Sequence, residues 1–283
     1  MNALRLAPAV LLAVYMGTAC ERPYGSADPA VPSDLRQTLE QLANGLEAFD
    51  PEQVLAVYAD DFISGTGRSK RGVGEVLTRL RQSKVSLSVE KVDVTEADDT
   101  RAAITTSMRL RYTDRFRNIG VGEVVITDVL SHLLRKDAGR WQIYTDKRLA
   151  TYREGRFGTS SPNVTIEVPE RLPTGLDYPV SVVVQQQPRT RYRVAIGNYP
   201  EDPGVLPPPD VETSLPEGGR LEANLLPNPQ GVSEMVRVTV IAADVQGDWQ
   251  GATTVSKLVP GVQRTARHKR QDAPPLPPEQ QDV

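Results

Sequence analysis

The spacing of apolar residues changes once between residues 35 and 155, and that change restricts the possible folds most. From Leu35 to Leu80, apolar residues recur three and four positions apart, as in the series Leu35, Leu39, Leu42 and Leu46. This spacing predicts amphipathic helices. From residue 84 onward, apolar and polar residues alternate, which predicts strands that bury one face. Helices followed by strands indicate an α+β fold, with three helices packed on a curved antiparallel sheet.

The three helices have recognisable beginnings. The first is predicted over residues 34–48, with Ser33 as its N-cap. Asp50 and Pro51 supply the cap and the first residue of the second helix. The third helix passes through Leu77 after a glycine-rich, basic loop at residues 65–74. That loop has neither the spacing of a Walker motif nor that of a dinucleotide fingerprint, so we interpret it as a connection between helices.

Four long strands are predicted next, over residues 84–94, 102–112, 123–135 and 141–152. Acidic or glycine-containing turns separate them at residues 98–99 and 137–139. Together with the sequence VLAVYADDF at residues 54–62 and GRWQI at residues 139–143, this order resembles the nuclear transport factor 2-like superfamily over residues 33–155. The resemblance implies a cone-shaped domain with an internal pocket. Members of that superfamily include isomerase-like and cyclase-like enzymes beside many non-enzymatic binding modules.

A second, all-β domain is predicted over residues 164–260, after a linker at residues 156–163. Short alternating segments recur there between turns rich in proline and glycine. This pattern is typical of an immunoglobulin-like β-sandwich, although the Cys–Trp–Cys framework of antibody domains is absent. Residues 261–283 combine a basic cluster with a proline-rich, acidic end, and we expect this tail to be disordered.

The beginning of the chain predicts export. An apolar run from Leu6 to Met16 is followed by small residues and then by Cys20, which is the only cysteine. This ending resembles the lipobox of bacterial lipoproteins, in which the cysteine carries fatty acyl chains such as palmitate. The resemblance implies a signal peptide at residues 1–19, lipidation of Cys20 and a tether at residues 20–32. We therefore expect the protein in the cell envelope, anchored by lipid to the periplasmic or outer membrane surface.

Composition argues against several chemistries. The chain has two histidines and one cysteine, a small inventory for a zinc site, and no G-x-S-x-G nucleophile motif. Its formal net charge of −3 does not favour nucleic acid as the main partner. We expect no cofactor and no bound metal.

The candidate catalytic residues are Asp128, His132 and Tyr112. Asp128 and His132 occupy alternate positions of the third predicted strand, hence one face. If that face lines the cone, burial would shift their pKa values and could support acid–base catalysis, with Tyr112 nearby. Residues four apart on a strand are about 13 Å apart, which is too far for direct contact. The opposite face is also apolar enough to be the buried one, and both residues would then lie outside the cone.

Three functions remain open at this point. The first is a non-catalytic binding or assembly module, held to membrane lipid through acylated Cys20 and binding an envelope protein or a small apolar ligand. The second is an isomerase-like or cyclase-like enzyme that uses the cone pocket. The third is attachment to a cell-wall polymer through the second domain and the tail.

Overall fold

The computed structural model describes residues 31–116, 119–172, 176–200, 209–227 and 232–261. The predicted signal peptide, the predicted lipidation site at Cys20, nearly all of the tether and residues 262–283 of the predicted tail lie outside these ranges. Within them the fold is mixed, with few helices and mostly antiparallel sheet.

The helices come first: α1 (Ser33–Glu47), α2 (Pro51–Leu55) and α3 (Lys70–Gln82). Asp50 caps α2 as predicted, since its side chain accepts hydrogen bonds from the backbone N–H groups of Glu52 and Gln53. The prediction that Ser33 caps α1 is wrong. Pro32 is the N-cap, because its carbonyl already accepts the first helical hydrogen bond, from the N–H of Arg36 at 3.0 Å.

Four long strands follow and pair in chain order: β1 (Val85–Ala97), β2 (Arg101–Phe116), β3 (Gly120–Asp137) and β4 (Arg140–Gly158). All three pairings are antiparallel. The helices bury their apolar faces against one face of this sheet, in a core that includes Leu35, Leu39, Leu42, Val54, Phe62, Leu77, Ile104, Leu134 and Ile143. The three- and four-residue spacing of the leucines places them on the buried side of α1.

Seven shorter strands complete the described fold. They are β5 (Val164–Glu167), β6 (Tyr178–Val184), β7 (Arg191–Pro200), β8 (Val211–Ser214), β9 (Arg220–Leu225), β10 (Glu234–Ala243) and β11 (Trp249–Val259). Strands β5, β6 and β9 form a three-stranded sheet. This sheet shares one apolar cluster with β7, β10 and β11, through residues such as Val182, Val194 and Val238. The short strand β8 was not among the predicted strands.

One sheet of eight strands runs through both predicted domains, in the order β1-β2-β3-β4-β11-β10-β7-β8. Strand β4 continues to Gly158 and pairs with β11 from Tyr152 opposite Lys257 to Gly158 opposite Gly251. The linker predicted at residues 156–163 is therefore wrong at its start, because β11 supplies hydrogen-bond partners that extend β4. A small apolar cluster at this junction joins Val124, Phe157 and Ala252.

Candidate functional site

The inner face of β3 is the one that carries Asp128 and His132. On this face Val124 is 1% exposed and Leu134 is fully buried, whereas Leu133, on the other face, is 38% exposed. Residues directly opposite each other in an antiparallel pair share a face. Met108 of β2 lies opposite Asp128 and therefore belongs to the same inner face. Of the two orientations left open by the sequence, the structure shows the inward one.

A cavity of about 330 Å³ lies between the helices and this inner face. Most of its wall is apolar and comes from α1, α3 and the first three strands. The apolar lining consists of Leu46, Val73, Val76, Leu77, Leu80, Leu87, Met108, Leu110 and Leu130. A wall of this kind favours burial of an apolar surface.

The rest of the cavity wall is polar, and it comes from three elements. Asp128 belongs to β3, and Asp146 and Arg148 belong to β4. The loop between α2 and α3 adds Ser64, Thr66 and Arg68. Two acidic and two basic side chains therefore line the cavity, so its formal charges balance. The whole cavity is amphipathic.

Asp128 is held at its place by its neighbours. Thr151 donates a hydrogen bond from its Oγ1 to Asp128 Oδ1 at 2.6 Å. Arg148 Nη2 lies 3.7 Å from Asp128 Oδ2. The side chains of Asp128 and Arg148 are 14% and 28% exposed, so the ion pair is largely shielded from water. Both carboxylate oxygens of Asp128 thus have a neighbouring polar group.

The loop at residues 64–68 is folded tightly against β4. The Ser64 N–H donates to the Arg68 carbonyl, and the Arg68 N–H donates to Ser64 Oγ, each at 2.8 Å. Gly65 donates its N–H to the Asp146 carbonyl at 2.7 Å. Gly67 has a φ of +83°, which favours glycine. The sequence indicated only a connection here, because its glycine pattern does not reveal that the loop docks on β4 and lines a cavity.

Tyr58 closes the cavity beside Asp146. Its side chain is 4% exposed and packs edge-on against Phe62, with ring centroids 4.7 Å apart. Burial, together with the negative charge of Asp146, raises the pKa of Tyr58 well above its usual range. Tyr58 is therefore a neutral phenol at physiological pH.

His132 is buried behind the cavity and does not line it. It is 2% exposed, and its Nε2 lies 2.8 Å from Thr106 Oγ1. Its Nδ1 has no hydrogen-bond partner in the described part of the chain. Burial lowers the pKa of His132 to about 4, so the ring is neutral at physiological pH.

Tyr112 lies at the other end of the sheet, in the junction cluster with Val124 and Phe157. Its hydroxyl accepts a hydrogen bond from Arg153 Nη2 at 2.6 Å. Burial is the main cause that raises the pKa of Tyr112. Of the three residues predicted as catalytic candidates, the structure places Asp128 in the cavity wall, His132 in the core and Tyr112 beside the junction. It does not bring them together around one cavity.

Asp146 and Arg148 line the cavity but were not among the predicted site residues. Both lie on the inner face of β4, since Asp146 is opposite His132 and Arg148 is opposite Leu130. The pairing of β3 with β4 shifts by one residue just after Arg148. Leu130 pairs with Arg148, whereas the preceding residue Val129 pairs with Ala150. Two charges on alternate strand positions normally indicate a solvated face, so the pattern favoured the wrong side.

In the described part of the chain, no three His, Cys, Asp or Glu side chains come together in a way that could hold a metal ion. No helix within those residues has the length and apolarity needed to cross a membrane.

No protein-family model matches this sequence. No curated protein matches it either. Solved structures similar to the chain include a nuclear transport factor 2-like protein of unknown function from Pseudomonas putida, with 17% identity, 41% of this chain and 83% of that chain covered, and a TM-score of 0.29. A second is the association domain of calcium/calmodulin-dependent protein kinase II from C. elegans, with 15% identity, 41% and 92% covered, and a TM-score of 0.32.

A third, from Novosphingobium aromaticivorans, is described as a scytalone dehydratase, with 12% identity, 41% and 80% covered, and a TM-score of 0.33. The structural neighbours of this chain are thus nuclear transport factor 2-like and cystatin-like proteins, among which are both enzymes and proteins of unknown function.

Proposed function

We propose that this protein is an envelope lipoprotein whose first domain binds a small, largely apolar molecule without transforming it. In this proposal residues 33–155 form a nuclear transport factor 2-like cone, and residues 164–260 form an immunoglobulin-like sandwich that is joined to it. The observation that carries the proposal is the amphipathic cavity of about 330 Å³, with an apolar wall and a charge-balanced polar end.

The size of the cavity suits a small ligand. Ligand pockets usually have volumes of about 300–1,000 Å³, so this cavity is at the lower end of the range. At about 30 Å³ for each water molecule in the liquid, it has room for roughly ten waters. A compact molecule with an apolar body and one hydrogen-bonding group fits this lining best, because a polar group without a partner would be costly to bury.

The places of the three predicted catalytic residues favour binding over catalysis. An isomerase-like or cyclase-like reaction needs an acid and a base that both reach the ligand. His132 and Tyr112 do not line the cavity. Asp128, which does, is engaged by Thr151 and Arg148. These contacts support a role for the Asp128 carboxylate in positioning its neighbours and shaping the polar end of the cavity.

The envelope location rests on the sequence. The apolar run, the small residues and the single Cys20 support export and acylation. Two or three acyl chains make membrane attachment effectively permanent, since each buried CH₂ contributes about 0.8 kcal/mol. The binding domain would then work beside a membrane, where small apolar molecules concentrate.

The binding proposal is tested by filling the cavity. The Leu110→Trp variant places a large ring in the cavity wall, and the matched control Leu149→Trp adds the same ring at a position that is 42% exposed. We expect the affinity for the apolar fluorophore N-phenyl-1-naphthylamine, measured by fluorescence titration, to fall at least about tenfold in Leu110→Trp, because the added ring occupies space that the probe needs in a cavity of about 330 Å³. Leu149→Trp should bind as the wild type does.

Circular dichroism and the melting temperature identify any variant that fails to fold. Equal probe binding by folded Leu110→Trp and wild type would contradict the cavity as the binding site. Probe binding that is accompanied by conversion of a bound ligand would contradict the non-catalytic role.

Anchoring is tested separately in the full-length chain. We expect the wild type to sediment with membranes and to show the mass of fatty acyl groups at Cys20 by intact-mass spectrometry. The Cys20→Ala variant should remain in the supernatant with no acyl mass. An unmodified thiol at Cys20 in membrane fractions would disprove the anchor and leave the cavity proposal standing.

A further inference from the structure

We infer that the cavity selects a molecule with a neutral carbonyl oxygen, to which the hydroxyl of Tyr58 donates a hydrogen bond. This inference rests on the proposed binding function and adds to it the chemical class of the ligand's polar group. Tyr58 belongs to the wall of the cavity, as do Asp128, Asp146 and Arg148.

The hydroxyl of Tyr58 is a hydrogen-bonding group that the described part of the chain does not use. The side chain is 4% exposed and lines the cavity, so its small exposed part faces that space. Among the described residues, no group makes a hydrogen bond with this hydroxyl. Its oxygen is not fully sealed, whereas the Nδ1 of His132 is. A nearly buried donor of this kind gains most when a ligand supplies the acceptor.

Tyr58 acts as an uncharged donor. Burial, together with the negative charge of Asp146, raises the pKa of the phenol well above its usual range. The phenol therefore keeps its proton at physiological pH. A protonated phenol donates one hydrogen bond, and it offers no positive charge with which an anionic ligand could pair.

The backbone on either side of Tyr58 is fixed to β4. The Ala59 N–H donates to the Ile143 carbonyl at 2.9 Å, and the Ile143 N–H donates to the Val57 carbonyl at 2.8 Å. Lys70 Nζ donates to the Tyr58 carbonyl at 2.7 Å. These contacts hold the residue in place before a ligand binds, which lowers the entropy cost of binding.

The other polar groups of the cavity favour an uncharged oxygen that only accepts. Two acidic and two basic side chains line the cavity, so a charged ligand would add a charge without compensation. The charge of Asp146 beside Tyr58 also repels an anion. A ligand hydroxyl would bring a donor as well, and both carboxylate oxygens of Asp128 already have polar neighbours. A carbonyl group needs only a donor, and Tyr58 supplies one.

The test compares two ligands that differ in one group. The probes are 2-acetylnaphthalene and 2-isopropenylnaphthalene, in which a CH₂ group replaces the carbonyl oxygen and the shape is nearly kept. Their affinities for the full-length wild type and for Tyr58→Phe are measured by isothermal titration calorimetry. We expect Tyr58→Phe to bind the ketone about fivefold more weakly than the wild type, because one neutral hydrogen bond is lost. The affinity for the hydrocarbon should stay within about twofold, because the ring and its apolar contacts are kept.

The matched control is Tyr144→Phe, which removes the same hydroxyl from a residue of β4 that does not line the cavity. It should bind both probes as the wild type does. Circular dichroism and the melting temperature show whether each variant folds. A second readout needs the wild type alone: the carbonyl stretch of the bound ketone, measured by infrared spectroscopy, should lie at a lower frequency than that of the ketone in hexane.

The inference is overturned if folded Tyr58→Phe binds the ketone as the wild type does, if Tyr144→Phe loses as much affinity, or if the bound carbonyl absorbs as it does in hexane. In each of these cases the binding function stands as long as the hydrocarbon binds. A larger loss of affinity in Tyr58→Phe for 1-(2-naphthyl)ethanol than for the ketone would overturn the assignment of a carbonyl in favour of a ligand hydroxyl. If the wild type binds neither probe, the proposed binding function fails together with the inference.

Discussion

The type of a residue and its position on a strand do not by themselves decide whether its side chain lines a cavity. Asp128 and His132 share a strand face, as their even spacing predicted, yet one lines a cavity and the other is sealed in the core. The difference arises from what packs on that face. Helix α3 and the loop at residues 64–68 leave a space over Asp128, whereas His132 lies beyond that space and bonds to Thr106. Alternation predicts the face of a residue, and only packing decides whether water or a ligand reaches it.

The buried His132 makes stability depend on pH. Its folded pKa is about 4, below the ordinary value of 6.5, because burial disfavours the charged ring. The unfolded chain therefore takes up a proton as the pH falls below 6.5, while the folded protein stays neutral until about pH 4. The stabilisation is complete above pH 6.5 and is lost as the pH falls through this window. The free energy of unfolding decreases by about 3 kcal/mol over this window.

We expect this loss to disappear in His132→Gln, whose amide can still reach Thr106. The measurement is the free energy of unfolding in urea at several pH values between 4 and 7, taken as the difference between variant and wild type. His268 lies outside the described residues, and its contribution cancels because it is present in both proteins. An identical pH dependence in the two proteins would refute the assignment.

At the scale of elements, helices were easier to predict than strand ends. The spacing of four leucines predicted α1 within a residue or two of Ser33–Glu47. Both this spacing and the helix-starting pair Asp50–Pro51, before which α1 must end, are local signals. The four long strands were predicted in the right order but too short. For β4 the prediction ended at Tyr152, whereas the strand continues to Gly158. The extra residues pair with β11, a partner that lies about a hundred positions further along the chain and leaves no local mark.

The cavity is likewise a product of element packing. Most of its apolar residues lie on helix and strand faces that their spacing predicted to be apolar. Val73 was placed in the predicted loop at residues 65–74, and the sequence left open which face of the third strand, and hence whether Leu130, is covered. The polar residues Asp146 and Arg148 were not predicted, because two charges on a strand usually face solvent. The register shift after Arg148 and the docking of Gly65 on the Asp146 carbonyl shape this end of the cavity. Neither feature follows from residue types alone.

The molecule as a whole is organised around one continuous sheet. The pairing of β4 with β11 spans seven residue pairs, from Lys257 opposite Tyr152 to Gly251 opposite Gly158. The junction cluster adds apolar contacts between Val124, Phe157 and Ala252. Unfolding one part would expose both the paired edge and these contacts, so the two parts stabilise each other. A continuous sheet of this kind favours unfolding in one cooperative step.

Two tryptophans allow this cooperativity to be measured. Trp141 is 3% exposed in the first core, and Trp249 begins β11 and is 45% exposed. Trp249→Phe leaves only Trp141 as a fluorescent reporter, and Trp141→Phe leaves only Trp249. In each variant we expect the urea transition measured by tryptophan fluorescence to coincide with the loss of far-ultraviolet circular dichroism. A tryptophan signal that changes well before or after the circular dichroism would show that the two parts unfold independently.

The sequence by itself determined the spacing of apolar residues in each segment, and with it the positions of the helices and the order of the long strands. It also determined that side chains alternate between the two faces of each strand. These features follow from the backbone geometry of neighbouring residues. Tertiary structure alone decided which of the two faces of β3 is covered, that His132 is buried behind the cavity, and that β4 joins β11. These outcomes depend on contacts between residues far apart in the chain, whose energies no local pattern records. The apolar spacing thus predicted where side chains could be buried, and the packing of distant strands decided which of them form a site.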